Sequence, residues 1–342
     1  MFLSIIIPTL NEAAALPLLL EDLWSQTGVT LEVIVADGGS HDSTPEDARK
    51  LGARIIAAPR GRGAQMNAGA AASTAPWLLF LHADSRLESP TLLRDALEAL
   101  AAAGAKVAGH FPLWFSRRHP GHDFLFRYLE GKTRSNRPNT INGDQGLLIS
   151  RKYFDELGGF DESLSFLEDQ RISARIFATG RWILLPGELS TSARRFESEG
   201  HAERLTLMAL LTGAGAAGFD AFLQSAPEAY RPQPQTQRLD PAPFARLARR
   251  LMRRHGLQGL RTLYRGGSFV RENAWQLFYR RDLLRGDGQW TALQFHDRWF
   301  APAMNTAFGN ALGMLLLWLW LLKISHPLEA FFGHFRTLAK KH

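Results

Sequence analysis

The stretch Pro76-Trp77-Leu78-Leu79-Phe80-Leu81-His82-Ala83-Asp84 decides the fold of this chain. Its apolar run, residues 77–81, lies between a proline and a polar turn, which is typical of a strand buried on both faces of a parallel sheet. In open α/β sheets the ligand lies outside the carboxyl ends of the strands, so this strand delivers His82 and Asp84 to a candidate site. Asp84 and Ser85 are also compatible with a simple turn that caps the next helix.

The composition predicts one catalytic-sized α/β domain with an appendage. The chain has 342 residues, of which 45% are hydrophobic, enough to bury a full α/β core. It contains no cysteine, which excludes disulfides and thiolate metal sites and is compatible with a reducing, cytosolic setting. Residues 1–8 have no basic segment and no small-residue cleavage site, so we expect a first strand there rather than a signal peptide.

The net charge of +7 is unevenly distributed along the chain. Residues 236–342 hold 17 Lys and Arg against 6 Asp and Glu, a balance of +11, whereas residues 1–235 hold 23 against 27, a balance of −4. Prolines and glutamines cluster between the two parts. We therefore predict an α/β domain at residues 1–225, a Pro/Gln-rich linker at 226–243 and a helical, basic appendage at 244–342.

Polar residues also follow the first two predicted strands. The apolar segments 3–7 and 31–36 flank a helical segment, which makes a parallel, right-handed βαβ unit. The unit places Thr9 beside Asp37, which ends the second strand. Thr9 and Glu12 both belong to the loop that leaves the first strand. Asp37 suits a turn, but its position is also where the base or ribose of a nucleotide is recognised in such sheets.

The loop at residues 59–69 combines two arginines, Arg60 and Arg62, with glycines and the start of a helix. Exposed amides at a helix N-terminus and two guanidinium groups favour a diphosphate. Glycines alone are weak evidence because turns also need them, but the position of this loop between two strands of one sheet strengthens the interpretation.

The order of these motifs resembles that of family-2 glycosyltransferases with the GT-A fold. The motifs are Pro-Thr-Leu-Asn-Glu at 8–12, Val-Ala-Asp-Gly-Gly-Ser-His-Asp-Ser-Thr at 35–44, Asn67, and Phe-Leu-His-Ala-Asp at 80–84. Four longer stretches of sequence are similar to one subgroup of the family, at residues 61–69, 82–84, 143–145 and 192–195. This subgroup consists of bacterial transferases associated with radical-SAM and selenium-domain genes, some of them labelled arsenosugar-biosynthesis glycosyltransferases. The resemblance covers residues 1–225 and implies a GT-A domain there, Rossmann-like, with a mostly parallel sheet and flanking helices.

The resemblance implies a role for each matching residue. Thr9 and Asp37 would contact the base, Glu12 would support the nucleotide pocket, and Asp84 would bind a divalent metal, Mg²⁺ or Mn²⁺. His82 replaces the first acid of the Asp-X-Asp element, which faces the ribose in relatives, so the strictness of the metal requirement stays open. The other residues expected at the nucleotide-sugar are Arg62, Asn67, Asp144, Gln145, Arg194 and Arg195.

The adjacent acids Glu168 and Asp169 open a predicted helix. Acids at a helix N-terminus are commonly stabilised by the macrodipole, but this pair matches the Glu-Asp motif of the family, whose aspartate is the usual general base. Sugar transfer needs a cation opposite the leaving diphosphate and a base beside the acceptor hydroxyl. Asp84 with its metal, helped by Arg62, would meet the first need and Asp169 the second. One base and direct displacement predict inversion at the anomeric carbon.

The arginine pair Arg194 and Arg195 follows the last predicted strand, in a segment that we expect to be a loop. Such a pair is usually solvated, but here it could fold over the diphosphate as a lid.

The C-terminal third predicts association with a membrane. Arginines alternate with apolar residues from 244 to 264, which is typical of a helix lying on an anionic membrane surface. Residues 299–322 are uncharged and end in Leu-Leu-Leu-Trp-Leu-Trp-Leu-Leu. We expect an interfacial or re-entrant membrane element there, with a buried core helix as the alternative. No recognisable nucleic-acid fold accompanies the basic helices.

These observations predict an inverting glycosyltransferase that uses a nucleotide-diphospho-sugar and an unidentified hydroxyl acceptor, with a lipid-linked acceptor as one option. We expect it in the cytoplasm, peripheral to the inner face of the cell membrane. Two other classes stay open. One is a nucleotidylyltransferase, which shares the sheet and the arginine-glycine loop, and the other is a non-catalytic, membrane-docked nucleotide-binding protein.

Overall fold

A computed structural model describes residues 1–230 and 238–325 of this chain. The chain divides into two compact units, Met1–Arg194 and Arg195–His342. Each unit is presented below by itself.

The first unit is built on two sheets. Its strands are β1 Phe2–Thr9, β2 Thr30–Asp37, β3 Arg54–Ala57, β4 Trp77–Phe80, β5 Arg86–Leu87, β6 Val107–His110, β7 Leu113–Ser116, β8 Leu147–Ser150, β9 Arg181–Leu184 and β10 Leu189–Ser192. Within residues 1–194, all of which the structure describes, the main sheet has seven strands in the order β3-β2-β1-β4-β8-β6-β9, and the smaller sheet has the order β5-β10-β7. The predicted α/β class and mostly parallel sheet are confirmed.

Helices pack against the two sheets because their apolar residues share one face. They are α1 Leu16–Trp24, α2 Thr44–Lys50, α3 Arg62–Ala72, α4 Leu92–Ala103, α5 Asp123–Thr133, α6 Arg151–Glu156 and α7 Glu168–Thr179, with a 3₁₀ turn at Gly143–Gln145. In α1 all four buried residues are leucines, at 16, 19, 20 and 23. Helix α6 is capped by a serine, since Ser150 Oγ accepts a hydrogen bond from the amide of Tyr153.

Strand β4 is buried as predicted, but its surroundings are not purely parallel. Leu78, Leu79 and Phe80 are at most 3% exposed. Strand β4 runs parallel to β1 and antiparallel to β8, and β8 is also antiparallel to β6. Strand β8 runs in the opposite direction because the chain enters it from the turn at residues 143–145, at the edge of the sheet where β4 ends.

The segment at residues 192–196, which we expected to be a loop, contains the end of a strand and the start of a helix. Ser192 ends β10, which pairs in parallel with β7, and the amide of Ala193 donates to the carbonyl of Ser116 at 2.9 Å. A short helix, α8 Arg194–Glu199, follows at once. The loop prediction was wrong because β10 is a separate strand after β9, and its residues, Leu-Ser-Thr-Ser, contain no apolar run.

The second unit is helical, which confirms the predicted helical C-terminal region. Its further helices are α9 His201–Ala216, α10 Asp220–Tyr230, α11 Ala242–Arg254, α12 Gly256–Glu272, α13 Trp275–Arg285, α14 Thr291–Phe295, α15 Ala301–Met304 and α16 Ala307–Ser325, with a π-helical turn at His296–Phe300. This unit begins at Arg195 and not at residue 226 or 244, because α9 packs against α10, α11 and α12.

The predicted linker at residues 226–243 is helical at both ends. Residues 226–230 continue α10, which contains Pro227, and Ala242 and Pro243 begin α11, where proline suits the first turn. The part of the linker at residues 231–237 lies outside the described residues.

The apolar run at residues 299–322 is not one continuous element. Residues 305 and 306 separate α15 from α16. Among the described residues, α16 is the one helix long and apolar enough to cross a membrane, judged by length and composition alone.

Candidate active site

The predicted site residues lie at one edge of the main sheet. Strands β1 and β2 end at Thr9 and Asp37, and β4 ends just before His82 and Asp84. Strand β1 lies between β2 and β4, so the order of the chain through the sheet reverses there. Such a switch point opens a crevice at the carboxyl ends of the strands, where α/β proteins bind their ligands.

Asp37 is the centre of a hydrogen-bonded loop at this edge. Its carboxylate accepts hydrogen bonds from the hydroxyl of Thr9 at 3.1 Å, from the amides of Gly39 and Ser40 at 3.0 and 2.9 Å, and from the Ser40 hydroxyl at 2.5 Å. Burial raises the pKa of Asp37, but these hydrogen bonds outweigh it and leave the pKa below its ordinary value. Asp37 is therefore a fixed, charged acceptor beside Thr9.

Gln65 holds the start of helix α3 against the ends of β1 and β2. Its buried side-chain amide donates to the carbonyl oxygens of Thr9 at 2.7 Å and Ala36 at 2.8 Å. A β-carbon on Gly38 would lie 3.0 Å from Nε2 of Gln65, which explains the glycine. The sequence interpretation gave Gln65 no role, and the only signal was its place in the Gly-Arg-Gly-Ala-Gln string.

Arg62, the first residue of α3, lies among four carboxyl groups. Its Nη1 is 3.3 Å from Oε1 of Glu168 and 3.5 Å from Nε2 of His82. Burial lowers the pKa of the Arg62 guanidinium, but neighbouring negative charges raise it above its ordinary value. In decreasing order of effect these are Glu168, Asp169, Asp144 and Asp84. Acids from the end of β4, from the 3₁₀ turn and from α7 thus converge on one cation.

Two of these acids have a pKa raised to about 7. For Asp144 the main cause is burial, and the charges of Asp169 and Asp84 add to it. For Glu168 burial again dominates, Arg62 opposes it, and Asp169 adds to it. The Glu168 side chain is 2% exposed and that of Arg62 is 40% exposed, so water stabilises the charge on Arg62 better than the charge on Glu168. Acids perturbed in this way are typical of functional sites.

Asp169 is held at the first turn of α7 by two backbone amides. Its Oδ2 accepts from the amide of Gly143 and its Oδ1 from the amide of Gln170, both at 2.7 Å. A β-carbon on Gly143 would lie 2.8 Å from Nε2 of His82 and 3.3 Å from Oδ2 of Asp169. Glycine at position 143 therefore lets the imidazole and the carboxylate approach the same point.

The donor set suits a hard divalent cation. Oδ1 of Asp144 is buried and has no hydrogen-bond partner within the described part of the chain, and Asp84 is close enough to raise the pKa of Asp144. The described residues contain no group of three or more His, Asp or Glu side chains that could hold a metal ion by themselves. Because Mg²⁺ is usually bound by one or two carboxylates together with substrate phosphates, Asp84 and Asp144 fit a metal whose coordination a diphosphate completes.

Two of the predicted site residues support loops. The side-chain amide of Asn67 accepts from the amide of Phe160 at 2.8 Å and donates to the Phe160 carbonyl and to Glu162 at 2.9 and 2.8 Å. Gln145 is fully buried, where its Oε1 lies 2.9 Å from Nδ1 of His110 and its amide donates to the Thr140 carbonyl at 2.6 Å. We name the four acids around Arg62, which are Asp84, Asp144, Glu168 and Asp169, the acidic cluster. The structure thus does not bring the side chains of Asn67 and Gln145 into this cluster.

The remaining predicted residues lie at other places. The backbone amide of Glu12 donates to Thr44 Oγ1 at 2.8 Å in the loop after β1, at the same sheet edge as Thr9. Arg194 and Arg195 are exposed at the start of α8, and the division between the two units falls between them. A lid formed by these arginines stays a prediction.

Residues 4–158 match the family described as "Glycosyl transferase family 2". This part of the chain is a family-2 glycosyltransferase domain. The matched range contains Thr9, Asp37, Arg62, Asp84 and Asp144, and it ends before Glu168 and Asp169.

Two curated relatives each match a part of this chain. The chain is 45% identical to the PGL/p-HBAD biosynthesis glycosyltransferase of Mycobacterium tuberculosis over 101 residues. The aligned part is 27% of this chain and 40% of that protein. It is also 29% identical to an uncharacterized glycosyltransferase of Haemophilus influenzae over 174 residues. The aligned part is 49% of this chain and 59% of that protein. The chain thus spans about half the length of these relatives.

A solved structure shares the fold of the glycosyltransferase chain. The mannosyltransferase PcManGT from Pyrobaculum calidifontis, in complex with GDP-Man and Mn²⁺, is 18% identical and superposes with a TM-score of 0.50 over 87% of each chain. The expected GT-A-like fold is thereby confirmed.

Proposed function

We propose that this chain is an inverting glycosyltransferase that moves a sugar from a nucleotide-diphospho-sugar to a hydroxyl acceptor. The observation that carries the proposal is the convergence of Asp84, Asp144 and Asp169 around Arg62 at the switch point of the sheet. Three of these four residues lie inside the family-2 glycosyltransferase domain.

The donor is bound along the edge of the sheet in this proposal. Asp37 and Thr9 recognise the base, while the exposed amides at the start of α3 and the guanidinium of Arg62 face the diphosphate. Asp84 and Asp144 are the residues that would hold Mg²⁺ or Mn²⁺, which supplies positive charge to the leaving diphosphate. That PcManGT was solved with both GDP-Man and Mn²⁺ supports this assignment.

Asp169 is the general base in this proposal. The amides of Gly143 and Gln170 fix its two oxygens, and each oxygen keeps a lone pair for a proton. As the acceptor oxygen bonds to the anomeric carbon, the bond to the diphosphate breaks and Asp169 takes the hydroxyl proton. A single displacement inverts the anomeric carbon. Glu168 contributes by its ion pair, which orients Arg62.

We infer three finer points. The strings at 61–69, 82–84, 143–145 and 192–195 support membership of the subgroup associated with radical-SAM and selenium-domain genes. The +11 balance of residues 236–342 supports a peripheral position at the cytoplasmic face of an anionic membrane. The relative named for PGL/p-HBAD biosynthesis supports a lipid-linked acceptor.

The test is incubation of the full-length protein with a panel of nucleotide sugars and Mn²⁺, followed by detection of free nucleoside diphosphate. Release from one donor, accelerated by an acceptor and lost in Asp169→Asn, is the expected result. Release of pyrophosphate from a nucleoside triphosphate would instead establish a nucleotidylyltransferase. Nucleotide binding with neither product would establish a non-catalytic binding protein.

A further inference from the structure

Helix α16 leaves one face of large apolar side chains uncovered. Phe308, Leu312, Leu315 and Leu319 are spaced by four, three and four residues, so they share one helical face. Leu316 and Trp318 flank them, and all six side chains are between 38% and 71% exposed. We name these six side chains the apolar crest. Contiguous exposed apolar patches mark sites of interaction with a protein or a membrane.

The opposite face of α16 packs so closely on α12 that the orientation of the crest is fixed. A β-carbon on Gly313 would lie 2.2 Å from the carbonyl oxygen of Gly267, so the two helices touch through their backbones. Arg271 of α12 donates to the side chains of Asn310 and Asn305, both at 2.8 Å. Rotation of α16 to bury the crest would break these contacts.

Basic side chains accompany the crest within the same unit. Helix α11 packs on both α12 and α16. From Ala242 to Glu272 there are eight arginines and one acid. Six of the arginines are exposed: Arg246, Arg250, Arg253, Arg254, Arg261 and Arg265. Lys323 is also exposed, near the end of α16. This charge complements an anionic lipid surface, whereas a second copy of the chain would bring the same positive charge.

We propose that the apolar crest lies in the plane of an anionic phospholipid leaflet and that α16 does not cross the bilayer. Helices α12 and α16 are antiparallel, since Gly266 contacts Leu317 and the later Gly267 contacts the earlier Gly313. The exposed Arg265 is therefore beside the middle of α16. A spanning α16 would carry this charge into the hydrocarbon core, where an arginine is costly. In the plane of the leaflet, the crest enters the acyl boundary and the arginines stay with the headgroups.

This inference deepens the membrane association proposed above and does not depend on sugar transfer. It is tested without any nucleotide sugar, so a failure of the enzymatic proposal leaves it standing, and the reverse also holds.

The first test is sedimentation of the full-length protein with vesicles. The vesicles are phosphatidylcholine alone or phosphatidylcholine with about a third phosphatidylglycerol. We expect binding to the anionic vesicles to be stronger by about tenfold or more, and to weaken with salt. The double variant Leu315→Glu, Leu319→Glu should lose the binding to anionic vesicles. The matched control Leu18→Glu changes an exposed leucine of α1 in the first unit and should bind like the wild type. Equal binding to both vesicles, or to neither, would overturn the proposal.

The second test measures how deeply α16 enters the bilayer. Because the chain contains no cysteine, Phe308→Cys, Leu315→Cys and Leu319→Cys can each carry a single environment-sensitive dye. Quenching by spin-labelled lipids should place all three at the same shallow depth. A depth that increases steadily along the helix would show that α16 spans the bilayer and would overturn the proposal. A dimer in lipid-free solution that the double glutamate variant abolishes would assign the crest to a second copy instead.

Discussion

Asp169 is the residue on which the proposed chemistry depends most directly. Its substitution Asp169→Asn keeps an oxygen for the amide of Gly143 but removes the ability to take a proton. We expect kcat to fall by about 10² or more while the affinity for the nucleoside diphosphate is retained. Steady-state kinetics and calorimetric binding measure the two quantities.

The control for Asp169→Asn is Tyr153→Phe, which removes a partly buried 2.9 Å hydrogen bond to Thr179 elsewhere in the first unit. It should reduce stability without affecting kcat. If Asp169→Asn abolished nucleotide binding instead, Asp169 would belong to the donor pocket and not to the acceptor side.

Asp84 is the second residue with a specific test. Loss of even an outer partner of a metal ligand commonly costs 10- to 100-fold in metal affinity, so Asp84→Asn should raise the Mn²⁺ concentration for half-maximal turnover by about tenfold or more. Circular dichroism should show an unchanged fold. An unchanged metal titration with full activity would remove Asp84 from the site.

Glu168 makes folding stability depend on pH. Its pKa is raised by burial to about 7 from an ordinary value of 4.5. The protonated form is favoured in the folded state, so its stabilising contribution is complete below about pH 4.5 and is lost as the pH rises through about 7. Glu168→Gln removes this titration. Relative to wild type, its free energy of unfolding should therefore increase between about pH 5 and pH 8, by on the order of 3 kcal/mol. Denaturant titrations across this range measure the difference, and a constant or decreasing difference would contradict the raised pKa.

At the scale of elements, the contact between α12 and α16 is set by glycine. In Gly313→Ala the new β-carbon would meet the Gly267 carbonyl at 2.2 Å, so the helices must separate. We expect a loss of about 1 to 3 kcal/mol in the stability of the second unit. The matched control is Gly213→Ala in α9, where the nearest atom to the β-carbon would be Phe269 Cε1 at 3.4 Å. This control should be neutral or stabilising, by up to about 1 kcal/mol. Fluorescence of the buried Trp275 during denaturation follows both variants.

The sequence predicts the elements whose signals are local. The apolar runs of β1, β2 and β4 and the acids that follow them identify the sheet edge that carries the acidic cluster. The apolar run of β8 also identifies a strand, but its antiparallel direction and the small sheet were not predictable in this way, because they are defined by pairing with distant strands. Likewise, Gly143 and Gln65 owe their roles to close approaches between segments far apart in the chain.

At the scale of the whole molecule, ligand binding should be visible as thermal stabilisation. A ligand that binds only the folded state stabilises it by mass action, by about 2.7 kcal/mol at 100 times its Kd. We expect a nucleoside diphosphate with Mn²⁺ to raise the Tm of the full-length protein, and the free nucleoside not to do so. The part of the increase that requires Mn²⁺ should disappear in Asp84→Asn. No increase with any nucleoside diphosphate would contradict the donor site.

The place of β8 in the sheet also determines when the protein becomes complete during its synthesis. Strands β1 to β4 can pair as they leave the ribosome, but β6 joins the sheet only through β8, which is translated later. At about 5 to 20 residues per second, the nascent chain waits roughly 2 to 8 seconds between these two strands. Until β8 is translated, β4 has no strand partner on that side, and Asp169 has not yet been added. The nascent chain therefore exposes an unpaired strand edge, a feature that favours aggregation, before its acidic residues are all in place.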